Sequence, residues 1–162
     1  MKNILIGLIA SVAVITGLLW LGNRAGSGGT AAIGTTSTLT APETSFDFGD
    51  VSMAAGKVSH DFVIRNDGSA AITAKKLFTS CMCTVAGLTV GDTRVGPFSM
   101  PGMGGPIPPI KVEILPGKEG IVRATFDPAA HGPAGVGRID RVVTLETSDG
   151  QLEFKFSANV LP

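Results

Sequence analysis

From Pro42 onward, apolar and polar residues alternate in short runs separated by turn residues, a period that places alternate side chains on opposite faces of extended chain. Val58 to Arg65 sets Val58, His60, Phe62 and Ile64 against Ser59, Asp61, Val63 and Arg65. Further on, Val122, Ala124 and Phe126 alternate with Ile121, Arg123, Thr125 and Asp127, and the first set is expected inside. Ser45 to Phe48, Ala71 to Phe78, Ser80 to Val85, Arg138 to Thr147 and Gln151 to Val160 complete a count of about seven strands. Asn66-Asp67-Gly68 supplies a turn, and Asp149-Gly150 between the last two runs predicts a hairpin. No stretch after residue 41 keeps an apolar period near 3.6 residues for more than two turns. The pattern therefore predicts an all-β domain, a sandwich of antiparallel strands.

Two regions depart from this pattern. Ile4 to Leu21 is an uncharged apolar run of eighteen residues, roughly 27 Å long as a helix and close to the thickness of a hydrocarbon core. It predicts a transmembrane helix, a signal anchor within residues 1–24. A cleaved signal peptide is the other reading, although nothing after Trp20 offers a clean cleavage site. Lys2 and the amino terminus before the run favour a domain on the extracytoplasmic side, periplasmic or cell-surface, and secreted if the signal is removed. Residues 25–41 are Gly, Ser, Thr and Ala with little else, a composition expected to act as a flexible linker to the domain at 42–162. The second departure is 89–117, where Gly96-Pro97, Pro101-Gly102, Gly104-Gly105-Pro106 and Pro108-Pro109 predict a long Pro/Gly/Met-rich inserted loop.

Composition narrows the function. Thirteen Lys plus Arg balance thirteen Asp plus Glu, so no net field draws the chain to nucleic acid. Two histidines and two cysteines are too few for most metal-dependent or nucleophilic catalysis. No Gly-x-Ser-x-Gly elbow stands near His60 or His131, so no catalytic residue and no enzyme activity are expected.

The chemically pointed feature is Cys81-Met82-Cys83. On an extended strand, residues two apart project from one face about 6 to 7 Å apart at Cα, too far for an easy disulfide but suited to pinching a soft ion. Thiolate and thioether donors suit Cu(I), and Met100 and Met103 on the long loop can close over Cys81 and Cys83; His60 and His131 can add nitrogen. The competing reading needs no cofactor: the cysteines are small buried hydrophobes, or form a strained bridge if the segment turns, and the methionines fill gaps. A redox role ranks below both, because no neighbouring cation is evident to favour a thiolate.

The ordered series Phe46-Asp-Phe-Gly49, Ser59 to Gly68 ending in Asn-Asp-Gly, Thr79-Ser-Cys-Met-Cys-Thr84 and Ala124-Thr-Phe-Asp-Pro128 resembles the bacterial Ig-like domains of unknown function related to the Hydin and major-sperm-protein type. The likeness covers about residues 44 to 160. Met82 stands where that group usually has Gly, and the insertion after Leu88 is longer than its usual turn. The resemblance implies an Ig-like sandwich outside the cytoplasm, acting as a binding or scaffolding module with no known reaction. Edge strands make β-strand addition the cheapest way for such a module to take an envelope protein as partner.

Overall fold

A computed structural model of the chain describes residues 38–102 and 105–162. The strands are β1 (Leu39–Thr40), β2 (Ser45–Ser52), β3 (Val58–Asn66), β4 (Ile72–Thr79), β5 (Thr84–Val90), β6 (Thr93–Phe98), β7 (Val112–Ile114), β8 (Glu119–Phe126), β9 (Gly137–Thr147) and β10 (Gly150–Leu161). They form two five-stranded sheets, ordered β1-β3-β8-β5-β6 and β2-β10-β9-β4-β7. Among the described residues the only helical pieces are short 3-10 turns at Met53–Ala55 and Gly132–Gly135, and no helix is long and apolar enough to cross a membrane. The expected helix over 4–21 and most of the expected linker lie outside the described residues.

The expected inward set of β8 is buried: Val122 and Ala124 are fully enclosed and Phe126 nearly so. They meet Phe62 and Ile64 of β3 and Leu88 of β5 from the same sheet. Val143 and Leu145 of β9, and Phe154, Phe156 and Ala158 of β10, close the core from the other sheet. Phe62 stacks on Phe154 at 5.0 Å between ring centres, joining the two layers. The Asp149-Gly150 hairpin forms as the dipeptide predicts, and β9 and β10 stay paired from Gly150↔Thr147 to Val160↔Gly137.

Ten strands replace the expected seven because β1, β6 and β7 were not expected, and one expected strand begins later in the chain. Leu39 and Thr40, assigned to the linker by composition, pair with Asn66 and Arg65 of β3, and Leu39 is buried. The supposed loop at 89–117 instead holds the end of β5 and the strands β6 and β7. Pro97 is tolerated because it falls between Val95 and Phe98 of an edge strand, where the pairing with β5 is already interrupted. Finally, Ser80 to Val85 is not a strand: residues 80–83 turn, and β5 begins at Thr84. The sandwich is also not wholly antiparallel, since β2 runs parallel to β10. The chain thus switches sheets between β1 and β2, an Ig-like arrangement.

Candidate functional site

The turn after β4 is built by its own polar groups. Thr79 Oγ1 donates to the carbonyls of Cys81 and Thr84, both at 3.0 Å, and Thr84 N–H donates to Cys81 O at 3.2 Å. Two further bonds tie this turn to other strands: Ser80 N–H donates to Val142 O of β9, and Asp127 N–H donates to Cys83 O at 2.9 Å. The second bond fixes the end of β8 against the cysteines. From there Asp127 Oδ1 accepts from Ala129 N–H and Gly132 N–H donates to Ala129 O, so successive turns carry the chain back on itself. The residue brought round is His131.

His131 Nε2 lies 3.2 Å from Cys81 Sγ, although fifty residues separate them in the chain. Cys83 N–H donates to Cys81 Sγ at 3.4 Å, and Arg141 Nε, from β9, donates to Cys83 Sγ at 3.3 Å. Cys81 is half-buried, Cys83 buried, His131 exposed, and both thiols are free. The two sulfurs and a His131 ring nitrogen all lie within 4.8 Å of one another.

The cluster splits the two thiols electrostatically. Burial opposes ionisation of Cys81, but hydrogen bonds from the Cys83 thiol, from His131 and from the Cys83 backbone outweigh it. With the Arg141 charge nearby, the thiol is lowered to about 7. Burial pushes Cys83 up, its hydrogen bond with Cys81 adds to this, and the bond from Arg141 only partly offsets them. The neighbouring cation whose absence counted against an activated thiol in the sequence is Arg141.

The predicted donors divide accordingly. Cys81 and Cys83 converge, His131 joins them, and Met82 between them is exposed. Met100 lines a pocket with Pro97, Phe98, Ser99 and Ile107 that contains neither cysteine, and Met103 lies outside the described residues. His60 is committed elsewhere: it stacks on Phe46 at 3.7 Å between ring centres and bonds Glu43 at 2.8 Å.

A second candidate lies on the edge of β3. Asn66 N–H donates to Lys118 O, continuing the β8 ladder, whereas Asp67 N–H donates to Thr38 O on the opposite side. Because backbone groups alternate along a strand, the N–H and C=O groups of Ser59, Asp61 and Val63 point away from β8. β1 covers only Arg65 and Asn66, so among the described residues no strand lies beside Val58–Ile64 on that edge. The outer face beside it carries the exposed cross-strand pair Val63 and Ile121, and the Asp61–Arg123 ion pair.

Fold and site together define a two-sheet Ig-like domain with a thiol-imidazole-guanidinium cluster at one turn. Residues 39–96, which include Phe46 to Gly49 and both cysteines, match the model of a family described as "Protein of unknown function (DUF1573)". Among solved structures, a protein of unknown function from Porphyromonas gingivalis W83 is 18% identical with a TM-score of 0.54, over 81% of this chain and 51% of that one. At that identity the likeness shows the fold, and this chain spans about half the length of that structure. The secreted serine protease VesC from Vibrio cholerae matches at 14% identity and a TM-score of 0.49, over 79% of this chain and 24% of that one. The ASH/PapD-like domain 7 of human CEP192 matches at 12% identity and 0.48, over 78% and 87%. No curated protein matches the sequence.

Proposed function

We propose that the chain is a non-catalytic, extracytoplasmic binding or scaffolding module of the Hydin-related type. In this reading the apolar run at 4–21 tethers it to the membrane, and it takes up an envelope protein by strand addition along β3. The observation that carries the reading is the seven-residue edge Val58–Ile64, where Ser59, Asp61 and Val63 offer three N–H and three C=O groups to an incoming strand. Each backbone bond contributes about 0.5–1.5 kcal/mol net, so an extended segment pairing there gains several kcal/mol before side chains are counted. The exposed Val63 and Ile121 give that segment an apolar contact, and Asp61 with Arg123 gives it charge to read.

Val63→Pro tests this cleanly. It deletes one outward N–H, and the β8 ladder does not use that group. The full chain, purified from its own envelope after cross-linking, is expected to enrich one specific partner, and Val63→Pro is expected to lose it while keeping the wild-type circular dichroism spectrum. Equal capture by both forms, or enrichment of nothing, contradicts the reading. The mass of the mature chain separates tether from released form, because cleavage removes about 25 residues.

A further inference from the structure

We propose that Cys81, Cys83 and His131 form a binding site for a single cuprous ion, with Arg141 balancing the charge of the loaded site. The site is independent of strand addition at β3.

The donors come from two separate turns, after β4 and after β8, and the Asp127–Cys83 backbone bond holds those turns together. The three ligand atoms lie within 4.8 Å of one another. A first-row ion holds sulfur at about 2.3 Å and nitrogen at about 2.0 Å, so three donors around one ion stand roughly 3.7–4.0 Å apart. The observed 3.2 Å between Cys81 Sγ and His131 Nε2 therefore opens by only about half an ångström on loading, within the reach of an exposed imidazole. Two sulfurs and one imidazole, with no carboxylate in the set, are a soft donor group that favours Cu(I) over magnesium, calcium or manganese.

Charge decides between the two thiophilic ions. Both sulfurs ligate as thiolates, so two thiolates with Cu(I) leave one negative charge, and Arg141, 3.3 Å from Cys83 Sγ, neutralises it. The same thiolates with Zn(II) are already neutral, and Arg141 then adds an uncompensated positive charge in a partly buried place. Three protein ligands also complete a trigonal cuprous site, whereas zinc requires a fourth. Burial grades across the site from Cys83 through Cys81 to the exposed His131, so the ion enters and leaves on the His131 side. No methionine from the 100–103 segment is needed.

The test is an anaerobic titration of the reduced full chain in detergent with Cu(I), in competition with a chromogenic Cu(I) chelator. The expected result is one ion retained per chain, with a sulfur-to-copper absorption band in the ultraviolet. Cys81→Ser with Cys83→Ser is expected to abolish retention. His131→Ala and Arg141→Met are each expected to weaken it roughly 10- to 100-fold, with the dichroism spectrum unchanged. If the buried Cys83→Ser change prevents folding, Cys81→Ser and His131→Ala, at accessible positions, carry the test alone. Failure of the folded wild-type chain to retain copper overturns the site. So does retention unchanged in Cys81→Ser and His131→Ala, or a preference for Zn(II) when both ions are offered.

Discussion

Asn66 and the cysteine pair stand at turns on opposite ends of β4, and their side chains use their hydrogen-bonding capacity in opposite ways. Asn66 is fully buried, and its amide is spent on backbone: Nδ2 donates to Ala70 O and Ile114 O, and Oδ1 accepts from Gly68 N–H. Its own backbone bonds Lys118 and Gly117. Gly68 completes this turn because a Cβ there would lie 2.6 Å from Thr38 Oγ1. The cysteine turn is held mainly by Thr79 and Ser80, with one bond from Cys83 N–H to Cys81 Sγ, and the sulfurs otherwise meet each other, His131 and Arg141. A polar group bonded throughout to backbone staples the fold. Donors from several elements that meet one another form instead the cluster on which the proposed copper site rests.

The contrast breaks if the staple proves dispensable. Asn66→Ala strands Gly68 N–H and the carbonyls of Ala70 and Ile114, so it is expected to cost on the order of 3 kcal/mol in urea unfolding while copper retention by the folded fraction stays at wild-type level. Cys83→Ala, which removes a buried sulfur and the acceptor of Arg141, is expected to cost about 1 kcal/mol. Cys81→Ala is expected to cost under about 0.5 kcal/mol. A loss at Cys81 as large as that at Asn66 would mark the cluster as structural.

A reactivity measurement sharpens the same difference. In the chelator-treated, reduced chain, alkylation of Cys81 is expected to reach half its maximal rate at a pH of about 7, because the thiolate is the reacting form. Cys83 is expected to titrate above an ordinary thiol and to react last. The smallest effect belongs to the exposed Asp61–Arg123 pair. The hydrogen bond from Arg123 holds the Asp61 carboxyl below its ordinary value, so its contribution to stability is fully present above pH ~3.9 and is lost as pH falls through the lower folded value. Asp61→Asn should remove that acid-limb dependence, and high salt should mask it.

Much of the sandwich was legible because its signals are local. The alternation of Val122, Ala124 and Phe126 named the buried face of β8, and Asp149-Gly150 marked the hairpin whose strands pair throughout. β1 and β7 escaped because two or three residues carry no period; Leu39 and Val112 take their burial from strands distant in sequence. The thiol pair was visible in Cys81-Met82-Cys83, but its turn was not, since the bonds that make it come from Thr79, Asp127 and Val142. His131 and Arg141 lie 50 and 58 residues from the sulfurs they touch. Asp127-Pro128, where the strand Glu119–Phe126 has just ended, is the nearest local sign that the chain turns back toward them.

X-ray absorption at the copper edge of the Cu(I)-loaded full chain bears most directly on whether this cluster is a ligand site. A shell of two sulfurs near ~2.3 Å and one nitrogen near ~2.0 Å, with the nitrogen lost in His131→Ala, is the expected result. A shell of nitrogen or oxygen alone, or one indifferent to His131, would contradict it.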